Sequence, residues 1–166
     1  MAPRKKSSGF TNLPASPFGA PLIGALLRMP WETVRRRMLE RLHERGFRDL
    51  DAPHLNVLLF PGPEGLKPTE LATRMSASKQ SVNHLLGQLE RFGYLERRGH
   101  PHDLRSKRIH LTPRGRTVAL TIREAVEQVE REWALLIGRK RLEHLRETLR
   151  ALSEASTSRS DGVEHD

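Results

Sequence analysis

Two short helical patterns, followed directly by two alternating segments, are the feature that most constrains the fold of this 166-residue chain. In residues 69–75 and 79–92, apolar side chains recur every three or four positions, which is typical of amphipathic helices. Residues 94–98 and 107–111 instead alternate between apolar and polar side chains, and the polar stretch 99–106 joins them, so we expect a β-hairpin. Helix, tight turn, helix and basic hairpin in this order predict a winged helix-turn-helix.

Longer amphipathic patterns lie on both sides of this unit. One covers residues 22–46, and Gly46 is expected to end its helix. The other covers residues 113–153 and begins behind a Thr112 cap, and its first apolar stripe is about 30 Å long at 1.5 Å per residue. Such a stripe is longer than a domain of this size needs for its own core. We therefore expect a mainly α (α+β) fold with a two-stranded wing and N- and C-terminal dimerisation helices.

The composition of the two ends predicts tails around one folded domain. Residues 1–20 combine basic residues with Ser, Gly and Pro, and residues 154–166 are small and polar, so neither segment buries enough apolar surface to offset the entropy of ordering. We assign residues 21–153 to the domain and residues 54–112 to its DNA-binding part. A contact between the basic N-terminal tail and phosphates stays an open alternative.

The charge of the chain points to a polyanionic partner. Lys and Arg number 29 against 20 Asp and Glu, a formal net charge of +9. Residues 67–116 hold eleven of the basic and four of the acidic residues, so most of the excess lies on the helix pair and the hairpin. A basic field of this kind favours nucleic acid.

Other partner classes are disfavoured by what the sequence lacks. The absence of cysteine excludes disulfides and thiolate chemistry. No apolar run approaches the roughly 18 residues that a membrane span needs, and no secretory signal follows the first basic residues. We expect a cytoplasmic protein with no membrane partner.

The second helix of the pair carries the candidate base-reading side chains. Its apolar face fixes the opposite face by helical geometry. Gln and Asn can bind adenine with two hydrogen bonds, and hydroxyls at a helix N-terminus suit phosphate. The alternative is an ordinary solvated face with Ser78 as a plain cap. The candidate DNA-binding residues on this helix are Ser78, Lys79, Gln80, Ser81, Asn83, His84 and Gln88.

Several short motifs resemble those of the MarR-type bacterial transcriptional regulators, and the resemblance spans about residues 31–152. The hairpin HPHDLRSK, residues 100–107, is similar to the family's Asp-Pro-x-Asp-Arg-Arg-(Ala/Ser)-Lys wing, with His100 and Leu104 as departures. The other matching motifs are PTELA at 68–72, SKQSV at 78–82, LE at 89–90, GYLER at 93–97 and LTPRG at 111–115.

The resemblance implies roles for the wing residues and an activity for the chain. Arg105 would enter the minor groove, Asp103 would orient it, and Lys107 would join them in the DNA contact. The family implies a homodimer that binds a pseudo-palindromic operator in double-stranded DNA. It also implies a repressor that a phenolic or other aromatic effector releases from between the dimer helices and the winged domain. The effector-binding residues stay unknown, because the apolar candidates are equally explained as core.

Catalysis and metal binding are not expected. His100, His102 and Asp103 could together ligate a metal, but a hairpin tip beside arginines is poorly preorganised for a cation. We expect no metal, no cofactor and no enzyme activity, because no catalytic motif stands out. Two alternative functions remain: a sequence-neutral architectural nucleic-acid-binding protein, and a winged-helix module that binds protein and whose complex would survive high salt.

Overall fold

The computed structural model describes residues 20–62, 64–100 and 103–160, without the side chains of residues 100, 103–106 and 156–160. The chain divides into two compact units, residues 1–33 and 34–166, and the boundary falls within the first helix. The described part holds six helices and one hairpin in chain order. These are α1 (Ile23–Glu44), α2 (Ala52–Leu58), α3 (Pro68–Arg74), α4 (Lys79–Arg91), β1 (Leu95–His100), β2 (Asp103–Leu111), α5 (Pro113–Ile137) and α6 (Arg139–Ser160).

The first unit contributes the N-terminal part of α1 and is rich in exposed apolar side chains. Pro30 lies inside the helix, although its ring has no N–H to donate. The hydroxyl of Thr33 donates to the carbonyl of Met29, 3.2 Å away. The helix starts about two turns before Pro30. Its exposed apolar residues are Leu22, Ile23, Leu26, Leu27, Met29 and Trp31.

The second unit buries one apolar core among all its helices but α6. Contributions come from the C-terminal half of α1, from the α2–α4 cluster, from the wing and from α5. The expected winged helix-turn-helix with a two-stranded wing is confirmed. The most deeply buried side chains are Met38, Leu42, Leu50, Leu55, Val57, Leu58, Leu71, Val82, Leu86, Leu89, Tyr94, Ile109, Val118 and Ile122.

Three helices end in the same local geometry, which sets the directions of the turns. A residue in the left-handed region follows each helix, and the next N–H bonds back to a carbonyl in the last turn. Gly46, which the sequence predicts to end its helix, has this geometry after α1, and Gly93 has it after α4. Ser76 does it after α3 at φ 49°, with Ala77 N–H on the carbonyl of Ala72. The tight turn between α3 and α4 is thus built without glycine.

The wing is longer than the alternation of residues predicts. We expect a loop over 99–106, but β1 runs to His100 and β2 starts at Asp103, so the strands extend through most of that stretch. The backbone pairs antiparallel from Leu95 opposite Leu111 to Gly99 opposite Lys107, with an irregularity before His100. Polar residues continue the ladder because backbone hydrogen bonds need no apolar alternation. Leu66 adds one antiparallel bridge to Ile109.

Two other boundaries differ from the sequence prediction. Thr69 has the residue type of an N-cap, yet α3 begins at Pro68, and the carboxylate of Glu70 accepts from the N–H of Lys67 at 3.3 Å. Proline is favoured in the first turn because its missing N–H has no partner there. At the other end, α6 continues to Ser160 instead of ending near residue 153. Ser153 is compatible with the helix, since its hydroxyl donates to the carbonyl of Leu149 at 2.9 Å.

The first turn of α5 packs directly on the backbone that connects α4 to the wing. Thr112 caps α5 by accepting from the N–H of Gly115 at 3.0 Å, and its hydroxyl donates to the carbonyl of Gly93 at 2.6 Å. Gly115 is buried, and a Cβ built on it would overlap the carbonyl oxygen of Tyr94. A glycine is therefore needed here for close approach and not for its backbone angles.

Gly115→Ala is expected to destabilise the protein by at least about 1–3 kcal/mol, because the backbone carbonyl that it meets cannot move aside. The matched control is Gly87→Ala on α4, where a Cβ meets nothing within 4 Å. That change should stabilise the protein by about 1 kcal/mol through helix propensity. Urea unfolding of both variants checks the contrast. Equal midpoints would show that α5 does not pack on Tyr94 in this way.

Candidate nucleic-acid interface

The N-terminus of α4 is fixed by two serine hydroxyls. Ser78 caps the helix, and its Oγ accepts from the N–H of Ser81 at 3.1 Å. The two Oγ atoms lie 2.9 Å apart, so they also share a hydrogen bond. Both side chains are exposed. Ser78 therefore acts as a helix cap, as it would on an ordinary solvated face. The cap also leaves both hydroxyls at the surface, where the expected phosphate contact would occur.

One exposed face of α4 brings together most of the predicted base-reading residues. Val82, Leu86 and Leu89 are buried against the core, so the opposite side of the helix faces outward. We call this exposed surface the reading face. A Cβ built on Gly87, which also lies on this side of α4, meets no atom of the described residues within 4 Å. The side chains of the reading face are Lys79, Gln80, Asn83 and His84.

Gln88 lies on the flank of α4 and is held from inside the protein. It is half-buried, and its Oε1 lies 3.2 Å from Nε2 of His54 on α2. His54 is buried. A role for Gln88 in DNA binding stays a prediction, but its carbonyl oxygen is already engaged.

The opposite flank of α4 is tied to the wing. Glu90 accepts from Nε of Arg97 on β1 at 3.1 Å. Both side chains are about one-third exposed, so solvent weakens this pair and its contribution to stability is small. The pair still joins the helix and the hairpin, the two elements expected to contact DNA.

The basic side chains of the wing differ in how far they are committed to internal contacts. Arg98 donates to the carboxylate of Glu96 at 2.5 Å. Arg108 donates to the carbonyl of Gly65 at 3.2 Å, while its buried Nε has no hydrogen-bond partner among the described residues. Lys107 is exposed. The side chains of Arg105 and Asp103 lie outside the described residues, and so does the cluster formed with His100 and His102.

A buried tyrosine joins three segments beneath the wing. The hydroxyl of Tyr94 donates to Oδ1 of Asp49 at 2.5 Å and accepts from Nη2 of Arg114 at 2.9 Å. The Arg114 guanidinium also lies 4.6 Å from the centre of the Tyr94 ring. Burial, together with the hydrogen bond to Asp49, raises the pKa of Tyr94. The hydrogen bond to Tyr94 likewise raises the pKa of Arg114.

The chain has one tyrosine, so its phenolate absorbance reports Tyr94 alone. We expect the native midpoint to lie above the value of about 10 that the residue shows in denaturant. A raised folded pKa means that the stabilisation is complete below about pH 10 and is lost as the pH rises through the native pKa. Tyr94→Phe should remove both the phenolate absorbance and this loss of stability at high pH. Equal native and unfolded midpoints would contradict the network.

The internal partners of these side chains do not follow from the sequence pattern. The spacing of Asp51 and His54 is a helix-capping spacing and could have indicated a local bond. Gln88 could have been placed on a flank from its angle to Leu85. Nothing in the sequence links Asp49 to Tyr94 or to Arg114, because these contacts depend on the tertiary fold.

Two other expectations concern metals and membranes. Among the side chains described, no group of three or more His, Asp or Glu residues could hold a metal ion. In the same part of the chain, no helix combines the length and the apolar character needed to cross a bilayer.

Comparisons with known proteins agree on one family. A sequence profile described as "MarR family" matches residues 48–106, which include α2–α4, β1 and the start of β2. A crystal structure of MarR is 25% identical and superposes with a TM-score of 0.72, covering 86% of this chain and 95% of that one. A MarR family protein of Mycobacterium tuberculosis, solved in complex with salicylic acid, is 27% identical with a TM-score of 0.59 and coverages of 80% and 96%. The chain is therefore similar to the MarR family in sequence over residues 48–106 and in fold over most of its length.

Curated relatives of the chain are matched over part of their length. The transcriptional repressor YetL of Bacillus subtilis is 41% identical over 61 residues, 36% of each chain. The uncharacterised regulator YkoM of the same organism is 29% identical over 85 residues. The chain thus spans about half of YkoM, 54%, and about a third of YetL. The MarR resemblance that the short motifs suggest is confirmed.

Proposed function

We propose that this MarR-type chain is a sequence-specific regulator that binds double-stranded DNA as a homodimer and represses transcription. The observation that carries the proposal is the reading face of α4, where Lys79, Gln80, Asn83 and His84 stand exposed beside a basic wing. A recognition helix of this width fits the major groove, and the adjacent hairpin reaches the neighbouring backbone or minor groove. Such a protein would act in the cytoplasm and would need no catalytic step.

Exposed apolar surface supports the homodimer. Leu135 and Leu136 near the end of α5 are 88% and 66% exposed. Leu145 and Leu149 of α6 are also exposed to solvent, and so are the apolar residues of the first unit. A second copy would cover these surfaces, and two-fold symmetry would place two reading faces on successive major grooves.

Selection of bound sequences from random double-stranded DNA at physiological salt, with the mass measured by light scattering, tests the proposal. We expect a dimer and a pseudo-palindromic consensus with half-sites about one helical turn apart. Salt-sensitive binding without a consensus would instead support the architectural protein. The absence of DNA binding would support the protein-interaction module.

Single substitutions should separate base reading from phosphate binding. Gln80→Ala or Asn83→Ala is expected to relax the preference at one position of each half-site and to cost about 1–3 kcal/mol. Lys107→Ala should weaken binding to all sequences. It should also reduce the slope of the logarithm of the binding constant against the logarithm of the salt concentration by about 1. Arg105→Ala should cost about 1–3 kcal/mol if Arg105 enters the minor groove.

Binding assays on the selected operator and on a scrambled duplex measure these effects. Unchanged affinity and preference in the Gln80 and Asn83 variants would remove the base-reading role. Unchanged affinity in the Arg105 variant would remove the minor-groove role.

We also propose that an aromatic acid or its conjugate regulates DNA binding. Two MarR-type structural neighbours support this: the Mycobacterium tuberculosis protein with salicylic acid, and CouR of Rhodococcus jostii with p-coumaroyl-CoA, which is 24% identical with a TM-score of 0.64. An effector weakens DNA binding only through its different affinities for the two dimer geometries. Titration of aromatic acids, beginning with salicylate, into the operator complex tests this part, and release of DNA is the expected result.

A further inference from the structure

The reading face of α4 works only if the helix is held at one rotation about its own axis. Side-chain tips lie about 5–6 Å from a helix axis, so a rotation of about 20° moves them by about 2 Å. That displacement is larger than the distance range that a hydrogen bond tolerates. Apolar packing of Val82, Leu86 and Leu89 fixes which side of α4 faces the core. Because the hydrophobic effect is not directional, a finer constraint needs polar contacts.

Buried His54 supplies such a contact, and its hydrogen-bonding direction is set by the backbone. The N–H of Asp51 donates to Nδ1 of His54 at 3.0 Å, so Nδ1 is the acceptor of the imidazole. A neutral imidazole with an acceptor at Nδ1 carries its proton at Nε2. Nε2–H therefore donates to Oε1 of Gln88, 3.2 Å away.

The position of His54 allows little freedom in that bond. Its side chain is only slightly exposed, and the Phe92 ring meets the imidazole edge-on, with ring centres 6.0 Å apart at 76°. The two ends of the bond lie on α2 and on one flank of α4, while Glu90 and Arg97 join the other flank to the wing. Contacts on two flanks resist rotation of α4 in both directions.

We propose that His54 and Gln88 are positioning residues that fix the rotation of α4 and thereby the specificity of DNA binding. The inference rests on the proposed function. Gln88 then acts from inside the protein, through its amide oxygen, and need not contact a base. The two-bond contact with adenine needs both the oxygen and the NH₂ group of Gln88, and it would have to share an oxygen that already accepts from His54.

Two substitutions of His54 separate its two hydrogen bonds. In His54→Asn, the amide oxygen can still accept from the Asp51 N–H, but the shorter side chain does not reach Gln88. In His54→Gln, the longer side chain keeps a donor for Gln88 and gives up the acceptor near Asp51. The two variants thus form a matched pair of similar polarity, and unfolding midpoints check that both are folded at the assay temperature.

The readout is the ratio of affinities for the selected operator and a scrambled duplex. We expect His54→Asn to lower this ratio roughly three- to tenfold, the size for one lost neutral hydrogen bond, and His54→Gln to keep it. Affinity for the scrambled duplex should be unchanged in both, because phosphate contacts dominate it. Gln88→Met should match His54→Asn, and the double variant should lose no more than either single one.

Two results would overturn the inference. If His54→Asn keeps the ratio while Gln88→Met lowers it, Gln88 contacts a base directly. If neither variant lowers it, the contact has no part in specificity. Gln88→Met leaves the Asp51 bond of His54 untouched, so an unchanged ratio in that variant alone overturns the inference even if His54→Asn fails to fold. Failure of the proposed function is distinct, since the wild-type protein would then show no consensus at all.

Discussion

The close packing of α5 on the backbone of Tyr94 is the contact on which the rest of the structure depends. Tyr94 follows the glycine that ends α4 and precedes β1, so its position sets where the recognition helix stops and where the wing begins. Gly115 allows α5 to reach the Tyr94 carbonyl, and the Tyr94 side chain is fully buried between Phe47 and Phe92. Its hydroxyl extends the junction to Asp49. One residue thus joins the helix pair, the wing and the long helix.

This junction gives a physical route between the two parts of the domain that the proposed function needs to couple. Any change that tilts α5 must also act on Tyr94, because there is no room between Gly115 and that carbonyl. The displacement would reach α4 through its last turn and β1 through its first residue. A protein interior is close-packed and transmits such shifts instead of absorbing them. An effector that alters the dimer helices would therefore move the reading faces.

The internal partners also change how the basic charge should be interpreted. Arg97, Arg98 and Arg108 belong to the excess of positive charge over residues 67–116, yet each donates a hydrogen bond within the protein. Lys79 on α4 and Lys107 on the wing are exposed. The number of phosphate contacts, and with it the salt dependence of binding, should therefore be smaller than the total charge suggests.

The sequence predicts the order of elements, the apolar faces and the exposed residues of α4, because these follow from local periodicity and from caps such as Gly46, Gly93 and Thr112. It predicts the length of the wing less well, since the backbone ladder continues through polar residues. It misses the partners of Gln88, Tyr94 and Arg108, because each bond joins segments that only the tertiary fold brings together. Helical geometry could have placed Gln88 on the flank of α4, but it could not have shown the hydrogen bond to His54.

The most direct test of the central claim compares two dissociation constants over a range of salt concentrations, one for the selected operator and one for a scrambled duplex. If α4 reads bases while the wing and helix termini bind phosphates, both affinities fall with added salt. The operator then remains favoured by roughly 10³-fold or more at physiological salt. If the two dissociation constants are equal at every salt concentration, the central claim is contradicted, because the reading face would then carry no sequence information.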